Sequence, residues 1–202
     1  MEISRNHNPI EHFQQWFHEV LNSHPEDEVN AMQLATIGID GFPKSRIVLL
    51  KRFTWEGFIF FTNYKSEKGK AIANNNRTSL SFNWRKSKRE VRVYGHTEKI
   101  SENLSEGYFE SRPRGSQLGA WVSKQSTVIS SKTVLDRRME QFEQKFKNKD
   151  IPKPTYWGGY IVKPIQMEFV KYNSLTTEHE VIKYTLQQDY NWLKTIHLDF
   201  YK

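Results

Sequence analysis

The sequence predicts a mainly β protein with α-helices, an antiparallel barrel, closed or split, with helices outside it. Three observations lead there. Between Ala31 and Glu98, short runs rich in β-branched and aromatic residues alternate with turn signals. Helical spacing is concentrated near the N-terminus and between Ser101 and Phe146. No G-x-G-x-x-G follows a strand-like run, which argues against a parallel nucleotide-binding sheet.

Pro9, preceded by Asn8 as N-cap, opens a helix whose apolar positions are Ile10, Phe13, Phe17, Val20 and Leu21. His24-Pro25 ends it, and the acidic linker Glu26, Asp27, Glu28 follows. Met32 to Ile39 reads as a strand leading into the hairpin signal Asp40-Gly41. Arg46 to Leu50 is the next strand, Glu56-Gly57 a turn, and Phe58 to Thr62 another strand. A short helix covers Ser66 to Ala73 with Ser66 as its cap. Ser79 to Trp84 and Glu90 to Glu98 alternate again, joined by the basic loop Arg85 to Arg89. Ser101 caps a helix through Tyr108 and Phe109 that stops before Pro113. Leu135, Met139, Phe142 and Phe146 form an amphipathic stripe, read as core. Beyond Pro152 and Pro154, strands are expected over Tyr160 to Tyr172, Glu180 to Leu186 and Trp192 to Phe200, with a turn at Gln188-Asp189.

At 202 residues, with thirteen Phe, nine Tyr and six Trp, the chain suits one domain with a packed interior. No apolar run is long enough for a membrane-spanning helix, and the N-terminal residues lack the apolar core of a secretory signal. The absence of cysteine excludes disulfides, thiolate–zinc sites and a thiol nucleophile, and fits a cytoplasmic protein. The net charge of +7 favours anionic partners. Its densest cluster, Arg85 to Arg89, has only Trp84 beside it, so nucleic acid is not the expected partner. The seven histidines are scattered, with no metal-ligand spacing and no Ser–His–Asp set.

The stretch Arg112 to Ser126, RPRGSQLGAWVSKQS, gathers Arg112, Arg114, Ser116, Lys124, Gln125 and Ser126. Arginine forks and hydroxyls suit a phosphate, although a polar surface junction between two helices would read the same way. Tyr108 and Arg112 are four apart and can share one helix face, and Pro113 and Gly115 allow a sharp turn that brings Ser116 back toward them. RPRGSQLGAWVSKQS resembles the signature of the pyridoxamine 5'-phosphate oxidases, which are FMN-dependent enzymes. Arg46 to Lys51 (RIVLLK) resembles that family's first flavin-binding strand, and Phe61-Thr62-Asn63 with Ser66-Glu67-Lys68 its Y-T-N…S-R-K segment. Trp157-Gly158-Gly159 and Met167-Glu168-Phe169 resemble two further motifs.

The resemblance implies a six-stranded antiparallel FMN-binding split barrel that dimerises, with the flavin in a cleft between subunits. Residues 1–202 would form one such domain: an N-terminal helix and linker (1–29), a family-like core (30–169) and divergent C-terminal strands (170–202). It implies FMN contacts from Arg46, Ile47, Val48, Leu49, Lys51, Phe61, Thr62, Lys68, Gln125 and Ser126, with Arg46 and Lys68 on the phosphate. It implies a clamp on the substrate phosphate by Lys51, Tyr108, Arg112 and Ser116, and a positioning or proton-transfer role for His179. The implied reaction takes pyridoxine or pyridoxamine 5'-phosphate to pyridoxal 5'-phosphate, with O2 as acceptor and H2O2 as product.

Three departures stand out. Glu67 replaces the family's arginine, and would repel a flavin phosphate unless it turns outward or pairs with Arg46 or Lys68. Glu90 replaces a glutamine near the flavin, where it would alter flavin electronics or point to solvent. After Phe169, Val170 replaces a tryptophan, and aligning His179 and Glu180 with the family's His-Asp leaves Thr177 and Val181 where arginines are usual. These changes leave two alternatives: a related flavoenzyme with another substrate, or a non-catalytic binder of flavin or pyridoxal phosphate.

Overall fold

The structure is a computed structural model describing residues 8–123, 131–173, 175–188 and 190–200. Helix α1 (Pro9–Ser23) starts as expected, with the Asn8 side chain accepting the Ile10 amide at 2.9 Å. Ile10, Phe13, Trp16 and Val20 are its buried face, while Leu21, expected there, is exposed.

Seven strands precede the C-terminal hairpin: β1 (Ala31–Ile37), β2 (Pro43–Leu49), β3 (Arg52–Thr54), β4 (Gly57–Asn63), β5 (Arg77–Trp84), β6 (Arg89–Lys99) and β7 (Trp157–Tyr172). The hairpin is β8 (Glu178–Leu186) and β9 (Trp192–Phe200). Every pairing is antiparallel, in the order β2-β1-β5-β6-β7-β4-β3, with β8 on β7 and β9 on β8.

The strand count corrects the expected six, because nine are present among the described residues. The difference has a local cause. Only Leu50 and Lys51 separate β2 from β3, and their amides bond Asn30 (2.8 Å) and Ile59 (2.9 Å). The two segments thus act as one interrupted strand, bonded to β1 by one half and to β4 by the other. Six positions then surround the barrel, and β8–β9 extends it outside. The sixteen-residue β7 joins the parts: its first half pairs with β4, its second with β8, and its other edge with β6. An irregularity opposite Tyr94 and Gly95 accommodates Pro164, which cannot donate to the ladder.

Phe13, Phe58, Phe60, Phe82, Leu34 and Phe169 are fully buried in the barrel core. Each is worth about 1.5–3 kcal/mol of burial. A second cluster, Phe109, Leu118, Phe146, Ile151 and Trp157, lies beneath the helices. Those helices are α2 (Glu67–Asn74), α3 (Glu102–Glu110), α4 (Arg114–Val122) and α5 (Lys132–Lys145).

Two further expectations change. The α5 stripe is not core: of its four residues only Phe146, at the helix end, is buried. Strands and α1 already fill the barrel, so Phe142 and Phe146 pack instead on Trp121 of α4, at 5.6 and 5.5 Å. Ser116 does not follow a sharp turn; Pro113 caps α4 and Ser116 sits exposed in its first turn. The basic loop between β5 and β6 is internally neutralised. Lys86 pairs with Glu26 and Asp27 (2.7 and 2.6 Å), and Arg89 pairs with Glu19 (2.6 Å) and covers the Trp16 ring. The acidic linker therefore consumes much of the charge a nucleic acid would need. Among the described residues no helix is long and apolar enough to cross a membrane.

Candidate active site

Two groups of chemically active side chains emerge. The first lies where β2, β4 and α2 meet. Arg46 donates from Nη1 to the Thr36 hydroxyl (2.7 Å) and to the carbonyls of Lys44 (2.9 Å) and Leu34 (3.4 Å). Lys68, on the first turn of α2, is 8% exposed, and its Nζ donates to the Thr62 hydroxyl at 3.3 Å. Burial pulls the pKa of both cations down, and the field of Arg46 lowers that of Lys68 further. No carboxylate among the described residues forms an ion pair with either. Two desolvated cations held together without an acid are costly alone and suited to a polyvalent anion. The site therefore fits a phosphate such as that of FMN.

The second group forms where α3 meets the start of β7. The Phe61, Tyr108 and Trp157 rings lie nearly parallel, with Phe61 3.9 Å from Tyr108 and 5.3 Å from Trp157. Arg112 follows the end of α3 with its guanidinium 4.6 Å over Trp157 and 5.6 Å from Phe109. Its Nη1 is buried without a hydrogen-bond partner. Burial lowers the Arg112 pKa and raises that of Tyr108, whose hydroxyl and the guanidinium act on each other. A buried guanidinium nitrogen lacking an acceptor is rare enough to mark a place for an external one.

The turn at Gly158 fixes this wall. A Cβ there would collide with the Tyr64 hydroxyl, so only glycine lets β7 approach. Tyr64 Oη donates to the Gly159 carbonyl at 3.3 Å, and the Gly159 amide donates to Ser105 of α3 at 3.2 Å. The α3 face bearing Tyr108 and Arg112 is thus bonded to the strand bearing Trp157.

The remaining expected residues fall less closely together. Lys51 is exposed at the break between β2 and β3, and Ser116 is exposed on α4. Ile47 is 65% exposed, whereas Val48 and Leu49 are half-buried along β2. Gln125 and Ser126 lie outside the described residues. His179 is on β8, paired in register with Tyr172 at the opposite end of β7 from Trp157. That separation is about 50 Å along the strand at roughly 3.3 Å per residue. His179 borders a hollow of about 330 Å³ with Lys171, Tyr172, Glu180 and Leu198, and its Nε2 is 4.0 Å from Asp199.

The two acidic departures have structural answers. Glu67 turns outward to Lys44 at 2.7 Å, not to Arg46 or Lys68. Glu90 does not point to solvent. It accepts a forked pair from Arg92 (2.9 and 3.0 Å), the Tyr172 hydroxyl (2.7 Å) and the Ser81 hydroxyl (3.0 Å). Burial opposes its ionisation, but these donors outweigh it and hold its pKa below the usual range.

A sequence profile described as pyridoxamine 5'-phosphate oxidase matches residues 18–146 of this chain, which include Arg46, Lys68, Tyr108 and Arg112. The chain belongs to the pyridoxamine 5'-phosphate oxidase family. A pyridoxine/pyridoxamine 5'-phosphate oxidase of Flavobacterium psychrophilum is 51% identical over 95% of this chain and 89% of its own length. One from a Nostoc species is 46% identical over 95% and 88%. Among solved structures, PhzG of Burkholderia lata superposes with a TM-score of 0.88 at 22% identity, covering 95% of this chain and 93% of that one. An FMN-binding protein of Nostoc punctiforme related to the family gives 0.73 at 13% identity, covering 92% and 96%. These two likenesses establish the fold as the FMN-binding split barrel. FMN is the family's cofactor, and the family's enzymes are oxidoreductases.

Sequence reading alone passed over Thr36, which holds Arg46, and the role of Trp157 as the ring beneath Arg112. Thr36 gave no signal, being one hydroxyl in an ordinary strand. Trp157 was visible as the start of W-G-G, but its partners are far away in sequence.

Proposed function

We propose that this protein oxidises C4' of pyridoxine or pyridoxamine 5'-phosphate to give pyridoxal 5'-phosphate. Dioxygen is the acceptor and H2O2 the product; the amine substrate also takes up water and releases ammonia. The observation that carries the reading is the buried, unpartnered Nη1 of Arg112 over Trp157, beside Tyr108. The chemistry that bound FMN supplies is hydride acceptance from C4' and reoxidation by dioxygen.

The chain's own residues bind and orient. Arg46, Lys68 and Thr62 hold the FMN phosphate; Ile47, Val48, Leu49, Lys51 and Phe61 border the cofactor, with Gln125 and Ser126 completing the set. Arg112, Tyr108, Lys51 and Ser116 hold the substrate phosphate. Charge-assisted bonds from a desolvated guanidinium contribute more than the same bonds in water. Fixing the phosphate restrains where C4' can lie, and this orientation supplies much of the rate.

The working unit in this proposal is a homodimer. His179 and Trp157 occupy opposite ends of β7, so a single chain supplies both to one site only with difficulty. A second copy, presenting its His179, completes the site. Exposed Ile47, Ile196, Leu198 and Phe200 offer apolar surface for that contact.

Anaerobic mixing of the FMN-loaded protein with pyridoxine 5'-phosphate tests the reaction; bleaching of the flavin absorbance is expected, and a flavin that stays oxidised sinks the proposal. Arg112→Lys should raise KM for the phosphorylated substrate about tenfold or more, since one ammonium cannot replace a planar fork. For the dimer, Arg112→Ala and His179→Ala proteins, inactive separately, should regain activity when unfolded and refolded together.

A further inference from the structure

We propose that Lys44 is a positioning residue for cofactor binding: together with Asp40 it holds the Glu67 carboxylate away from the anion-binding pair Arg46 and Lys68. This rests on the reading that Arg46 and Lys68 bind the FMN phosphate.

Glu67 sits at the first position of α2, where an acid favours the helix dipole, and Lys68 is the next residue. A free carboxylate there has two buried cations nearby, and the field of Glu67 acts on both. Left unpartnered, it would neutralise part of the charge a phosphate needs. Lys44 prevents this. Its Nζ lies 2.7 Å from Glu67 and 2.8 Å from Asp40, bridging the tip of the β1–β2 hairpin to the first turn of α2. Both acids are held below the usual carboxylate range, chiefly by their hydrogen bonds to Lys44.

Placement makes Lys44 apt for this task. Lys44 and Arg46 are two apart on β2 and share one face of the strand. The Lys44 carbonyl accepts from Arg46 Nη1 at 2.9 Å. One residue therefore fixes the anion-binding arginine through its backbone and diverts the competing acid through its side chain. Replacing the side chain separates the two effects, because the carbonyl remains.

The test is a double-mutant cycle read as the Kd of FMN for the apoprotein, from quenching of flavin fluorescence at low ionic strength, without turnover. Lys44→Met should weaken FMN binding roughly three- to tenfold. Glu67→Gln alone should leave binding unchanged or slightly tighter, and the double variant should return to the wild-type value. Riboflavin, which lacks the phosphate, should bind all four proteins alike. Recovery in the double variant also excludes misfolding as the cause of the Lys44→Met loss. If Lys44 contacts the phosphate directly, the double variant stays weak and the proposal is overturned; equal affinity for wild type and Lys44→Met overturns it too. A wild-type protein that does not bind FMN instead refutes the reading of Arg46 and Lys68 on which this one rests.

Discussion

His12 should make the stability of this protein depend on pH between about 6.5 and 4. Its ring stacks on Phe169 at 3.9 Å and 11°, meets Trp16 edge-on at 4.9 Å, and has its Nδ1 3.3 Å from the Tyr184 hydroxyl. Burial, helped by Lys194 on β9 and Arg89 on β6 and opposed by Glu19, lowers its pKa from 6.5 to about 4. The folded state thus resists a proton that the unfolded chain accepts. Stability is full above the unfolded value of about 6.5 and is lost as pH falls toward 4. A shift of about 2.5 pH units corresponds to at most about 3.4 kcal/mol at 1.36 kcal/mol per unit. His12 keeps some solvent contact, so about 2 kcal/mol is the better expectation. Urea unfolding of wild type and His12→Phe at pH 7.5, 6, 5 and 4.5 measures it. The wild type should lose about 2 kcal/mol more than the variant over that range. Parallel pH profiles would refute the reasoning, because the loss would then belong to other groups.

Other consequences are open to direct measurement. Lys68→Met should weaken FMN binding at least about tenfold while riboflavin affinity changes little, since only the phosphate contact is removed; fluorescence titration reads both. Gly158→Ala should lower the Tm by several degrees and impair the substrate site, because the new Cβ meets the Tyr64 hydroxyl that positions Gly159. Gly57→Ala should also destabilise, through the Val162 carbonyl and a φ of +151°, yet leave the KM of the folded fraction unchanged because it stands away from Arg112.

Much of the fold was legible because its signals are local. Asn8-Pro9, Ser66 and Ser101 start helices through their own side chains or rings, and Asp40-Gly41 turns the first hairpin with Gly41 at φ +80°. The three-residue β3 was not legible, since Arg52–Thr54 carries too short a pattern to separate from the neighbouring run. The α5 stripe misled because periodicity reports an apolar face without saying what covers it. Glu67 shows the same limit: its sequence neighbours suggested a repelled phosphate, while its spatial partner, Lys44, is 23 residues away.

By itself the sequence determined the β-rich class, most element boundaries and the residue types that can hold phosphate, because period, caps and motifs are properties of neighbouring residues. Only the tertiary structure decided which cations lack an acid partner, which ring lies beneath Arg112, where Glu67 and Glu90 turn, and how β2 and β3 close the barrel as one strand. Those outcomes depend on burial and on contacts between distant segments, and both arise only when the chain is packed.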